Sequence, residues 1–193
     1  MIRVYRMAPD VRTLGPGSRF CLWVQGCSRH CPGCMSPETW DPQGGTLWRE
    51  EDLARKIGQF AFEGITISGG EPFLQPGPLA TLLGLLRAGR DMGVMVYTGF
   101  TLEELRARQD PDTDAFLEQI DLLVDGPYQE ALDDDGALRG SSNQRAICLS
   151  GRYAAGLGDW FGKAGQRRQQ VQIDEMGVLR IGLRRHEGGT GMG

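Results

Sequence analysis

Short apolar runs alternate with helix-like segments along most of the chain, and this alternation restricts the fold more than any other feature. Four runs end in glycine: "FCLWVQG" at 20–26, "GITISGG" at 64–70, "VMVYTG" at 94–99 and "DLLVDG" at 121–126. Strands separated by helices imply right-handed crossovers and a mainly parallel sheet with helices outside it. We therefore predict an α/β fold.

The segments between these runs carry helix signals. Residues 47–62 place apolar side chains at near-helical spacing with acids early, and residues 76–93 begin with proline and end in glycine. Thr101 and Glu104 form a capping box that opens another helix, and residues 114–120 add a further turn or two. The helices are therefore expected between the strands of the sheet.

The chain of 193 residues is long enough for one domain with a sizeable core. From Pro127 onwards the pattern changes to loops with short elements, followed by a two-stranded hairpin over 170–184. We predict a single domain, 1–193, with a core of about 15–149 and a C-terminal extension over 150–193.

Composition excludes several functions. With 21 basic and 25 acidic residues the net charge is -4, which indicates no broad cationic face for nucleic acid. No apolar run approaches a membrane span, and the opening "MIRVYRMAPD" lacks the apolar core of a secretory signal, so we expect a cytoplasmic protein without a membrane partner. Five cysteines, an odd number, then favour a metal or redox site over a disulfide framework.

Three of the cysteines, Cys27, Cys31 and Cys34, lie in the stretch "WVQGCSRHCPGCMSPETW". Three soft ligands on one loop suit an iron-sulfur cluster or zinc. A four-iron cluster bound by three thiolates keeps one iron open for another ligand. A structural zinc site would instead take His30 or Cys21 as its fourth ligand. The spacing alone leaves both interpretations open.

A second motif follows the next predicted strand. In "ISGGEPF", Gly69, Gly70 and Glu71 place two small residues and a carboxylate where a ligand's ammonium group can approach closely. Thr98 and Asp125 follow the two later strands. Because the carboxyl ends of parallel strands meet at one edge, these residues and the cysteines are expected on the same rim.

Together the cysteine and glycine motifs resemble the radical S-adenosylmethionine (SAM) superfamily. Five segments in order, "GPGSRFCLWVQGCSRHCPGCMSPETW", "TISGGEP", "VYTGFTLEEL", "LLVDGPY" and "LRGSSNQR", resemble the activating enzymes of anaerobic, class III ribonucleotide reductases, from about Gly15 to Arg145. The resemblance implies a partial parallel β/α barrel and a [4Fe-4S] cluster on the three cysteines. It also implies that SAM chelates the open iron, with Gly69, Gly70 and Glu71 holding its methionyl amino group and Thr98 and Asp125 as further contacts.

The resemblance implies an enzyme that reductively cleaves SAM to a 5'-deoxyadenosyl radical and installs a glycyl radical on a partner. That partner would be the anaerobic ribonucleotide reductase, and a flavodoxin or ferredoxin would donate the electron. Another glycyl-radical enzyme or a peptide as substrate is an alternative within the same chemistry. A zinc-binding interaction module is an alternative of a different class.

Several residues have simpler interpretations. His30 is expected to be exposed or hydrogen-bonded, His186 to be solvated near the tail, and Cys21 and Cys148 to be small core residues in apolar strands. The segment "RGSSNQR", residues 139–145, either orders a loop or shapes an edge that faces the partner.

Overall fold

The computed structural model describes residues 1–161, 167–174 and 177–183. A seven-stranded sheet has the order β3-β1-β2-β4-β5-β6-β7, and a separate hairpin joins β8 to β9. The strands are β1 Ile2–Val11, β2 Arg19–Val24, β3 Thr46–Trp48, β4 Gly64–Gly69, β5 Gly93–Tyr97, β6 Leu122–Asp125, β7 Arg145–Cys148, β8 Gln170–Asp174 and β9 Gly177–Ile181. The helices are α1 Glu50–Gly58, α2 Pro76–Arg87, α3 Leu102–Arg106, α4 Pro111–Leu117 and α5 Leu157–Trp160.

The four central strands, β2, β4, β5 and β6, are parallel, and antiparallel strands complete the sheet on both sides. The predicted α/β fold with helices between parallel strands is therefore confirmed. The capping box of α3 is also present, with both of its hydrogen bonds. Within the described ranges, no helix is both long and apolar enough to cross a bilayer.

Both faces of the central strands are buried, which explains their nearly continuous apolar sequences. On one face, Phe20, Leu22 and Val24 of β2 pack in the core that the helices α1 to α4 cover. On the other face, Cys21 packs with Ile181 of the hairpin. Residues of the C-terminal part of the chain also cover this second face beside β5 and β6, among them Leu138, Tyr153 and Leu157. The C-terminal part of the chain thus covers the face of the sheet that the helices α1 to α4 leave uncovered.

Two elements differ from the sequence prediction. The sequence pattern does not predict the strand β1. Its buried positions alternate, but Arg6 occupies one of them beside Ile2, Val4 and Ala8, so the alternation of apolar and polar residues is interrupted. Residues 46–48 form β3, so the predicted helix begins only at Glu50, where three acids in its first turn complement the helix dipole. The predicted hairpin is present, although residues 175 and 176 of its turn and His186 lie outside the described residues.

Arg19 is fully buried at the start of β2. Its guanidinium donates hydrogen bonds to oxygens of Pro16, Ile65, Thr66, Gly93 and Tyr153. These acceptors belong to β4, β5 and the C-terminal part of the chain as well as to the loop before β2. One side chain therefore joins the beginnings of three parallel strands to the extension.

Candidate functional site

The loop that carries the three cysteines begins just after β2, at the carboxyl end of that strand. Its two ends are held together, because Gly26 N–H donates to Thr39 O at 2.8 Å and Cys27 N–H donates to Trp40 O at 3.1 Å. The Gln25 side chain adds donors to the carbonyl oxygens of Glu38 and Asp41. The loop is therefore a closed unit anchored to the sheet.

Cys27, Cys31 and Cys34 are half-buried, carry free thiols and line one cavity of about 150 Å³. Burial raises the pKa of the Cys27 and Cys31 thiols, and backbone N–H donors, those of Arg29 and His30 at Cys27, partly oppose this. The same cavity is lined by Gly69, Gly70, Glu71 and Thr98. Of the residues that the sequence predicts at the rim, all but Asp125 line this cavity.

Three thiols on one loop are the donor set that an iron-sulfur cluster takes. The zinc interpretation needs His30 or Cys21 as a fourth ligand, and neither residue lines the cavity that the three cysteines share. His30 is exposed, and its ring stacks on Trp40 with centroids 4.6 Å apart. Cys21 is buried in the sheet, where burial raises its pKa to about 12. Neither residue supplies the fourth ligand of the zinc interpretation.

Gly69, which ends β4, and Gly70, which follows it, allow two strand ends to lie against each other. Gly70 N–H donates to Val24 O and Glu71 N–H donates to Gly26 O, both at 2.8 Å. A Cβ at Gly70 would stand 2.1 Å from Gly26 O, and Gly69 has a φ of +101°. Glycine is therefore required here by close approach of the backbone to the cysteine loop. The sequence alone suggested only close approach of a ligand.

Glu71 is buried, and its carboxylate joins two loops of the rim. One oxygen accepts hydrogen bonds from Phe73 N–H at 3.0 Å and Thr98 Oγ1 at 2.8 Å, and the other accepts from Gly99 N–H at 2.8 Å. Burial raises the pKa of this carboxyl, and the hydrogen bonds lower it. The carboxylate lines the cavity and fixes the loop after β5.

Thr98 and Asp125 occupy different positions. Thr98 lines the cavity and bonds to Glu71. The Asp125 carboxylate is fully buried, accepts from Leu102 N–H at 2.8 Å and pairs with Arg145, whose Nε lies 2.9 Å away. It therefore fastens the end of β6 to α3 and β7, and its predicted contact with SAM stays a prediction.

Two side chains of the segment 139–145 hold the loop after β6 in place by hydrogen bonds to its backbone. Asn143 Nδ2 donates to Pro127 O at 2.8 Å, and Gln144 Nε2 donates to Gly126 O at 2.9 Å. Gln144 Oε1 in turn accepts from Gly140 N–H at 2.7 Å. Gly126, Gly140 and Gln144 line the cysteine cavity beside Tyr128. This structural role was not derivable from sequence, because the partners of the two amides are backbone carbonyls more than 15 residues away.

A larger cavity of about 430 Å³ adjoins the cysteine cavity. The two share the lining residues Met35, Ser36, Ser68, Tyr97 and Leu183. The hairpin forms part of its wall through Leu179 and Ile181. No sequence motif marks this space, because its lining comes from separate segments that meet only in the folded chain.

Comparisons with known proteins agree with this geometry. A family model described as a 4Fe-4S single cluster domain matches residues 13–147, which include all three cysteines and Glu71. The chain belongs to this class of iron-sulfur proteins.

Two curated relatives are named anaerobic ribonucleoside-triphosphate reductase-activating protein. The one from Salmonella typhimurium is 36% identical over 155 residues, covering 74% of this chain and 96% of the relative. The one from Vibrio cholerae is 35% identical over 140 residues, covering 67% and 87%. The chain is a member of the family of anaerobic ribonucleoside-triphosphate reductase-activating proteins. The predicted family, its enzyme class of radical SAM activating enzymes, and a [4Fe-4S] cluster with SAM as cofactors are thereby confirmed.

One solved structure, that of QueE from Escherichia coli, is similar over 52% of this chain and 53% of its own, with a TM-score of 0.45 and 20% identity. At this level the likeness supports no further conclusion.

Proposed function

We propose that this chain installs a glycyl radical on an anaerobic ribonucleoside-triphosphate reductase. The partner is inferred from the two curated relatives, which are named as activating proteins of that reductase. The observation that carries the proposal is that Cys27, Cys31, Cys34 and Glu71 line one cavity at the carboxyl ends of parallel strands. In this proposal the cysteines hold the cluster, and Gly69, Gly70 and Glu71 hold the methionyl end of SAM.

When bound, the cluster and SAM would supply the one-electron radical chemistry that removes a hydrogen atom from the partner's glycine. The chain itself would position the cluster and SAM and shield them from water. The close backbone contact between Gly70 and the cysteine loop sets the spacing between the two halves of the site. Glu71, held by Thr98 and Gly99, offers a fixed negative charge to an ammonium group. Asn143 and Gln144 keep the wall formed by residues 126–128 in place.

The fold, the electron donor and the cellular location are also inferred. We propose that the parallel strands form a partial barrel in one domain. A flavodoxin or ferredoxin as electron donor, the absence of nucleic acid and membrane partners, and a cytoplasmic location stay predictions.

The test of the partner is electron paramagnetic resonance on a mixture of the reconstituted chain, SAM, reductant and the reductase. A glycyl doublet on the reductase supports the proposal, and it is expected to vanish when the reductase glycine is replaced by alanine. SAM cleavage without a doublet would exclude the reductase and favour another glycyl-radical enzyme or a peptide.

The test of the cluster ligands is the iron and sulfide content of alanine variants. Replacing Cys27, Cys31 or Cys34 is expected to abolish the cluster. Replacing Cys21 or Cys148, which lie in strands, is expected to leave it intact. Loss of iron in either of the last two variants would contradict the ligand assignment.

A further inference from the structure

Two residues that line the cysteine cavity each carry a buried hydrogen-bond donor without an acceptor among the described residues. The indole N–H of Trp40 and the Nε–H of Arg29 are buried and unpaired in the part of the chain that the structure describes, and both residues line the cavity. Buried donors are nearly always satisfied in folded proteins, so an unpaired one next to a ligand cavity needs an explanation. A ligand that brings acceptors into the cavity would provide it.

Trp40 is firmly attached to the loop that carries the cysteines. Its carbonyl oxygen accepts from Cys27 N–H at 3.1 Å, and its own N–H donates to Pro37 O at 3.1 Å. Its ring stacks on His30, which lies between Cys27 and Cys31, with an interplanar angle of 27°. The backbone hydrogen bonds and the stacking on His30 hold the indole against the cysteine loop. The indole N–H of Trp40 therefore keeps its position relative to the cysteines.

Arg29 is a weaker candidate, because other groups already fix its guanidinium. One terminal nitrogen lies 3.0 Å from Glu104, and the guanidinium carbon stands 4.1 Å from the centre of the Phe100 ring. These contacts account for the direction of the side chain. The Trp40 indole has a buried donor with no comparable polar anchor on its side chain.

We propose that the Trp40 indole N–H donates a hydrogen bond to a sulfur atom of the iron-sulfur cluster that Cys27, Cys31 and Cys34 hold. The inference rests on the proposed cluster site. A cluster on three thiolates is rich in sulfur acceptors, and it gains negative charge on reduction. A donor to sulfur stabilises the reduced form more and so raises the reduction potential. Trp40 then makes the cluster easier to reduce.

The first test is the midpoint potential of the reconstituted cluster, measured without SAM in wild type and in Trp40→Phe. Phenylalanine keeps an aromatic ring against His30 but has no N–H, so the potential is expected to fall while iron and sulfide content stay unchanged. Trp40→His, which restores a ring donor, is expected to recover part of the shift. Ser28→Ala is the matched control, because Ser28 is exposed on the same loop. Its potential is expected to equal that of wild type.

A second measurement needs no variant at Trp40. The reduced wild-type cluster, prepared with ¹⁵N-indole tryptophan, is expected to show a ¹⁵N coupling in pulsed electron paramagnetic resonance. The coupling should persist in Trp23→Phe, since Trp23 lines the neighbouring cavity.

The outcomes separate the two proposals. A wild-type protein that forms no cluster contradicts the proposed function itself. A wild-type cluster without ¹⁵N coupling, or a Trp40→Phe cluster with the wild-type potential, overturns only the role of Trp40. An unchanged potential together with weaker SAM binding in Trp40→Phe also overturns it, because the indole would then donate to SAM. An equal shift in Ser28→Ala would show that any change in the loop alters the potential, and it would overturn the proposal as well.

Discussion

Replacing Gly70 with alanine tests whether the glycine pair serves the backbone contact between β4 and the cysteine loop. The new Cβ would stand 2.1 Å from Gly26 O, whereas ordinary van der Waals contact begins at 3.4 Å. The obstructing atom belongs to backbone, so the two strand ends must separate by about 1 Å or more. Separation weakens the hydrogen bonds from Gly70 N–H to Val24 O and from Glu71 N–H to Gly26 O.

The expected loss of stability follows from two effects, the overpacking and the weakened hydrogen bonds. Overpacking costs about 1–3 kcal/mol, and each backbone hydrogen bond contributes about 1 kcal/mol net, so the free energy of unfolding should fall by about 2–4 kcal/mol. Because the shift moves the cysteine loop relative to Glu71, SAM cleavage should fall by about 10²-fold. Iron content is expected to fall too.

The assay combines urea unfolding of the metal-free chain with iron content and 5'-deoxyadenosine formation under strong reductant. Gly84→Ala is the matched control. Gly84 lies inside α2, and no atom lies within 4 Å of its added Cβ. That variant should gain about 1 kcal/mol from helix propensity and keep full activity. A Gly70→Ala protein with wild-type stability, cluster and SAM cleavage would refute the close-contact explanation.

Three further predictions concern side chains outside the cysteine loop. Arg19→Met should lower the free energy of unfolding by about 2–4 kcal/mol, because several buried oxygens lose their donor, and urea unfolding measures this. Gln144→Leu frees the Gly126 carbonyl and should weaken SAM binding about fivefold with normal iron content, as equilibrium binding would reveal. The hydrogen bond from Arg145 lowers the pKa of Glu103 from 4.5 to about 2, so the stabilisation by this pair is complete above pH 4.5 and is lost as the pH falls through 2. The melting temperatures of wild type and Glu103→Gln should therefore converge towards acid pH, and a constant difference would argue against the pair.

The sequence predicts the parallel strands and the rim of the site well, because both depend on local patterns. Apolar runs that end in glycine mark β4, β5 and β6, and the cysteine spacing marks the loop after β2. The family resemblance is carried by the same short segments, and the family match covers them.

Other features depend on contacts between distant residues and leave no local pattern. Arg6 is buried in β1 because Asp174 of the hairpin binds it, with Nε 3.0 Å from the carboxylate, and 168 positions separate the two. The amides of Asn143 and Gln144 bind carbonyl groups that any residue type would present. Such partners cannot be read from a single sequence without the fold.

The attachment of the hairpin to β1 bears on how the chain folds and opens. Its contacts join residues near position 10 to residues beyond position 169, so they form only after residue 172 has been synthesised. Of the described hairpin residues, Ile181 alone is fully buried, so little apolar surface resists detachment. We therefore expect the amide hydrogens of β8 and β9 to exchange faster than those of β2, β4 and β5. Such local opening would admit water to the larger cavity from the side, while the hydrogen bonds that close the cysteine loop remain formed.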